Sequence, residues 1–130
     1  MGQPAAKQGD SVVALDIHIQ MVPTPGGPVP VPLPSPFNGT LDGNLSTNVF
    51  IGGMAAATVG STATNTPQHI PVAGPFQRPP MNQATVFQGS TTVFINGKPA
   101  ARMGDPATTC NDPADLPAGT VVAAGTVFFG

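Results

Sequence analysis

Apolar and polar positions alternate over short distances along this chain and almost never recur at helical spacing, because Gly or Pro interrupts nearly every window. The pattern predicts short strands at Asn48 to Ile51, Ala84 to Phe87, Thr91 to Ile95, Thr120 to Ala123 and Thr126 to Phe129. Ser11 to Val22 is the one longer uninterrupted segment, with β-branched residues in loose alternation. Gln88-Gly89-Ser90 and Ala124-Gly125 read as the turns of two tight hairpins. Between Pro23 and Pro36 the prolines lack backbone donors and push their predecessors to extended conformations, which excludes a helix or a central strand. That stretch reads either as a polyproline ligand for an SH3-type domain or as a stiff excursion around the body. The absence of flanking basic residues favours the excursion.

Self-similarity changes this picture most. The segment from Val49 to Ser61 aligns without a gap to that from Val93 to Asp105, at an offset of 44 residues. A third copy starts at Gly2-Gln3-Pro4-Ala5-Ala6-Lys7-Gln8-Gly9-Asp10, matching Gly97 to Asp105, and its missing strand lies at the other end as Val127-Phe128-Phe129-Gly130. The third unit is therefore expected to close across the termini, with Gly130 beside Gly2. Each unit contributes a strand, a Gly turn, a step of paired alanines and a second turn at Gly-Asp or Gly-Ser. Small residues where three chains converge imply a tapering body with approximate threefold symmetry. The expected fold is all-β: a small cone of short strands and hairpins, one domain over residues 1–130, with residues 23–36 as a proline-rich excursion. Similar hairpins in a β-sandwich are the competing arrangement, disfavoured because the copies tile the chain.

The same register exposes candidate chemistry. His18 follows Asp10 by eight residues and His69 follows Ser61, the equivalent turn position, by eight. Cys110 follows Asp105 by five, in the matching segment of the third unit. Threefold symmetry brings two imidazoles and one thiolate towards a common axis, a set that suits Zn²⁺ ahead of iron. For the fourth position, water or a nearby carboxylate such as Asp112 or Asp115 is expected. The chain contains no Glu to act as a general base, and a convergence of small residues leaves little pocket, so the metal reads as a structural staple at the apex rather than a catalyst.

Composition narrows the function classes. Charged residues make up 8% of the chain and Lys plus Arg number 4, too few for a nucleic-acid footprint or a membrane-surface helix. No stretch approaches a membrane span, no signal-peptide core is visible, and a cytoplasmic start is expected. Gly 16 and Pro 17 approach the disordered range, but a net charge of −2 and an ample supply of Val, Ile, Thr and Phe argue for a folded body. The single Cys excludes an internal disulfide.

Pro99-Ala100-Ala101-Arg102 followed by Gly104-Asp105, with the partial copy Pro4-Ala5-Ala6-Lys7 and Gly9-Asp10, resembles the PAAR-repeat family. The proline-rich insertion and the endings around Thr109 to Pro117 and Gly119 to Val122 are similar to its PAAR-like branch. The resemblance implies a β-cone that caps and sharpens the trimeric spike of a type VI secretion system or a phage-tail-like contractile particle. It implies a homotrimeric VgrG-like spike as partner, one tip per trimer, with effectors carried by some members as extensions. It also implies metal ligation by His18, His69 and Cys110, although the family commonly supplies three His and one Cys. A plain, non-enzymatic tip is expected, assembled in the cytoplasm and delivered outward. A small zinc hydrolase or an effector-carrying metal module is the alternative. Val49, Ile51, Val93, Ile95, Val127 and Phe129 occupy alternate positions of the three equivalent strands, and they are expected to form an apolar base that docks on the spike.

Overall fold

The computed structural model describes residues 2–130, and its strands run in chain order as β1 (Gln3–Pro4), β2 (Ser11–Val22), β3 (Val29–Gly43), β4 (Phe50–Ile51), β5 (Met54–Ala55) and β6 (Thr62–Asn65). They continue as β7 (Gln83–Val86), β8 (Phe94–Ile95), β9 (Lys98–Pro99), β10 (Pro106–Thr109), β11 (Leu116–Val122) and β12 (Phe128–Phe129). No helix occurs among the described residues. Six strands close a barrel in the order β10-β11-β2-β3-β6-β7, and the remaining six form three two-stranded ribbons, β4-β5, β8-β9 and β1-β12.

The ribbons carry the repeat. Gly52-Gly53 and Asn96-Gly97 sit at positive φ (59°, 86°, 54° and 80°), the requirement of a two-residue type I′ turn, so β4-β5 and β8-β9 are tight hairpins. The third ribbon joins the two ends of the chain in the same register: Phe128 faces Pro4 as Phe94 faces Pro99 and Phe50 faces Ala55. A Cβ on Gly2 would lie 2.6 Å from the carbonyl oxygen of Phe129, so the close pairing of the ends requires glycine there.

Beneath the ribbons the backbone closes a ring. The amide of Ala6 donates to the carbonyl of Ala101 (3.0 Å), Ala101 to Ala57 (3.0 Å) and Ala57 to Ala6 (3.1 Å). All three alanines are fully buried, which explains the small-residue step: a larger side chain has no room where the three chains meet. The second turn of each unit repeats as well. Its carboxylate or hydroxyl accepts the amide three residues earlier, at 3.0 Å for Asp10 and Lys7, 2.9 Å for Ser61 and Thr58, and 2.6 Å for Asp105 and Arg102. Barrel strands leave from these turns. Their core is built of Val12, Phe37, Leu41, Val86 and Val121 with small neighbours.

The two hairpins expected at Gln88-Gly89-Ser90 and Ala124-Gly125 do not form. β7 and β11 belong to the barrel, whereas β8 and β12 belong to ribbons, so each glycine marks a crossing between sheets. Gly89 is pressed against another chain segment, where a Cβ would lie 2.5 Å from the carbonyl oxygen of Ala100. The strands expected from Asn48 and Thr91 shorten because Ser46 Oγ takes the amides of Asn48 and Val49 while Ser90 Oγ takes those of Thr92 and Val93.

The proline-rich stretch is also corrected, from an excursion to the return half of a long hairpin. β3 pairs with β2 from Thr40 opposite Ser11 to Val29 opposite Val22. Pro30, Pro32, Pro34 and Pro36 occur at every second position, opposite Met21, Ile19, Ile17 and Leu15. In a strand, alternate residues direct their backbone groups to the same side, so this spacing removes donors from one edge only and leaves Val31, Leu33 and Ser35 to bond to β2. β2 agrees with this assignment. Its Ile17, Ile19 and Met21 amides turn away from β3, to Asn111 Oδ1, Asp112 Oδ2 and the carbonyl of Pro75.

The expected docking face needs a further correction. Ile51 and Ile95 are buried with Ala5, Ala56 and Ala100 in a second small core, and Val49, Val93 and Phe129 pack against it. The branched face of each ribbon therefore closes on the axis. Strand alternation turns the intervening residues outward, and Phe50, Phe94 and Phe128 are 59%, 58% and 56% exposed. Of the six residues expected at the base, Val127 is the one clearly exposed.

Candidate metal centre

β2 carries the first donors. His18 lies seven residues beyond Ser11, roughly 23 Å at ~3.3 Å per residue, so the site is far from the ribbons. Asp16 and His18 share the inward face of β2 by the two-residue strand period. His69 enters from the segment after β6, where its backbone amide donates to Asn82 Oδ1 (2.8 Å). Cys110 follows β10 directly. The structure thus brings His18, His69 and Cys110 together, and the imidazole centroids are 4.8 Å apart.

Sequence reasoning missed the fourth member, Asp16. One donor atom from each of Asp16, His18, His69 and Cys110 lies within 4.8 Å of all the others. Asp16 Oδ2 is 3.0 Å from His69 Nε2 and 3.4 Å from Cys110 Sγ. The readable signal was Asp-x-His on a strand, which places both side chains on one face; Asp16 falls outside the repeat register that singled out the histidines. The carboxylates expected in this role sit elsewhere. Asp112 Oδ2 is 3.6 Å from His18 Nδ1, beyond hydrogen-bonding distance, and Asp115 is half exposed beside Arg78.

The donors fit a cation. His18 is buried, yet neither ring nitrogen has a hydrogen-bond partner, an arrangement that costs about 1–3 kcal/mol per unsatisfied group unless something accepts the lone pair. Burial, reinforced by the neighbouring His69, lowers the His18 pKa against the pull of Asp112 and Asp16, which keeps the ring neutral and able to ligate. Burial together with the Asp16 charge pushes the Cys110 thiol up to about 11, against hydrogen bonds from the backbones of Asn82 and Gln83. A metal is what would turn this sulfur into a thiolate. Zn²⁺ suits two nitrogens, a sulfur and an oxygen, and four donors whose side chains are at most 2% exposed form the closed arrangement of a structural site. His69 also borders a groove of about 370 Å³ lined by Pro34, Pro36, Pro67, Ile70 and Val72.

A family model described as the PAAR motif matches residues 19–114 and, in a second alignment, residues 77–130. The chain belongs to the PAAR-motif family. His69 and Cys110 fall inside the matched span, and Asp16 and His18 immediately precede it. PAAR-motif proteins are associated with the spike tips of contractile injection machines, a structural role. Comparison with curated proteins finds no match. No described helix is long and apolar enough to cross a membrane.

Proposed function

We propose that this PAAR-motif protein is a non-enzymatic tip that caps the trimeric spike of a contractile injection machine, of the type VI or phage-tail-like kind, with a buried zinc ion stiffening its far end. The observation that carries this reading is the ring of amides joining Ala6, Ala57 and Ala101 beneath three ribbons of identical register. A single chain with an internal threefold axis at one end can meet each subunit of a homotrimer in the same way; the other end, with one long hairpin, cannot. The ribbon end offers Phe50, Phe94 and Phe128 at nearly equal exposure, which replace the inward-facing set as the contact residues. A zinc hydrolase finds no support in donors shielded from solvent. Synthesis in the cytoplasm followed by outward delivery on the spike completes the proposal.

The test is co-purification with a trimeric spike protein of the same machine. One copy of this chain per three spike chains is expected. A triple variant, Phe50→Asp, Phe94→Asp and Phe128→Asp, should keep its circular dichroism spectrum and its metal while losing the spike, because three carboxylates would be buried without partners. Undiminished binding by that variant would remove the ribbon end as the docking face.

A further inference from the structure

Two carboxylates approach the metal centre, and their surroundings assign them different work. Asp112 is already satisfied: Oδ2 accepts the Ile19 amide (2.8 Å), and Oδ1 accepts Arg78 Nε (2.9 Å) and lies 2.9 Å from Nη2. Arg78 also donates to the carbonyl of Asn111, which fixes the guanidinium in place. The charge of Asp112 is therefore neutralised where it stands. Asp16 is fully buried with no Lys or Arg paired to it among the described residues. Its Oδ1 is occupied by Thr109 Oγ1 (2.6 Å), with Asn111 Nδ2 at 3.5 Å. Its Oδ2 is the atom turned towards His69 and Cys110.

We infer that Asp16, through Oδ2, is the fourth ligand of this centre, and that Asp112, held by the Ile19 amide and Arg78, is not a ligand. The inference rests on the metal-staple reading and deepens it. Thr109 and Asn111 hold the carboxylate so that one oxygen only faces the ion. The charge balance follows: a carboxylate, a thiolate and two neutral imidazoles cancel a divalent ion, leaving a buried centre of zero net charge.

Cobalt(II) alone serves as the probe, because its visible spectrum reports tetrahedral coordination and thiolate ligation in the folded full-length chain. The wild type should take up one cobalt per chain with a tetrahedral, thiolate-bearing spectrum. That spectrum should not change when azide is added, since no solvent position is open to exchange. Asp16→Asn should lower affinity by about 100-fold or more and abolish the tetrahedral signature. Asp112→Asn should keep the signature and bind cobalt within about 10-fold of the wild type, less than the loss expected of a ligand or its hydrogen-bonded partner. An azide-dependent spectrum in the wild type would show that solvent holds the fourth position and would overturn the assignment, whether or not Asp16→Asn folds. A tetrahedral spectrum kept by Asp16→Asn and lost by Asp112→Asn would reverse the two roles. A wild type that binds neither cobalt nor zinc would sink the staple reading itself, and this inference with it.

Discussion

The two ends of this molecule are built on different principles. At the ribbon end, three units repeat in sequence, register and hydrogen bonding, and the end is defined by the backbone ring of Ala6, Ala101 and Ala57 and two type I′ turns, closed over a small core of Ile51, Ile95 and alanines. At the metal end nothing repeats in shape. A long hairpin, a coil carrying His69 and a loop beginning at Cys110 each send one or two side chains to a single point. Backbone contacts constrain residue size and φ, so they force the same small residues three times. A metal centre constrains only where donor atoms lie, so each unit is free to supply a different residue from a different local structure.

Removing the metal should separate the two ends most strongly. A ligand held at a thousandfold excess over its Kd contributes about 4 kcal/mol, so chelation should lower the melting temperature by about 10 °C or more. Hydrogen exchange should then quicken along the far half of β2 and around Cys110, while the amides of Ala6, Ala57 and Ala101 stay protected. Equal loss of protection at both ends would mean that they unfold as one unit and that the contrast is one of appearance only.

pH should sharpen the same contrast, with opposite signs for the two forms. In the metal-free protein the Cys110 pKa is raised from an ordinary 9.0 to about 11. The stability gained by keeping that thiol protonated is present below about pH 9 and is lost as the pH climbs towards 11. A metal-loaded protein would hold the sulfur as a thiolate and should instead be unloaded by acid, because protons compete for the ligands. Thermal melts of both forms between pH 5 and 11 would check this; parallel curves would count against Cys110 as a ligand.

Substitution at the ring should cost less but should be symmetric. Ala57→Leu should destabilise by about 1–3 kcal/mol, and Ala6→Leu and Ala101→Leu by the same amount within error, measured by urea unfolding. A large inequality among the three would show that the ring is threefold in geometry but not in energy. Smaller again is Gly97→Ala, which places a side chain at φ +80° in the β8-β9 turn and should cost about 1 kcal/mol while metal content stays unchanged.

These differences explain what could be read in advance. The ribbon end was legible because a backbone ring writes itself into the chain as recurring Ala-Ala and Gly-Asp or Gly-Ser steps, and the same register pointed to His18 and His69. Asp16 escaped because it belongs to no repeat; only its spacing from His18 on a strand could have found it. The apolar alternation of the ribbons was visible, but alternation fixes two faces without saying which one closes on the axis, and the outward phenylalanines were passed over for their branched neighbours. Gly89 misled because a glycine that lets a chain cross another backbone looks like one that reverses it. The prolines misled because each was judged as a breaker, when their two-residue spacing was the informative feature.

That spacing has a consequence for how the molecule behaves among its own copies. Along the outer side of β3, from Pro30 to Pro36, every backbone position that would offer an N–H to a neighbouring strand is a proline. An unshielded sheet edge is ordinarily a template for further strands and invites edge-to-edge association. Here the outer edge lacks the donors that an incoming strand requires, so the β2-β3 hairpin is a poor template for a larger sheet.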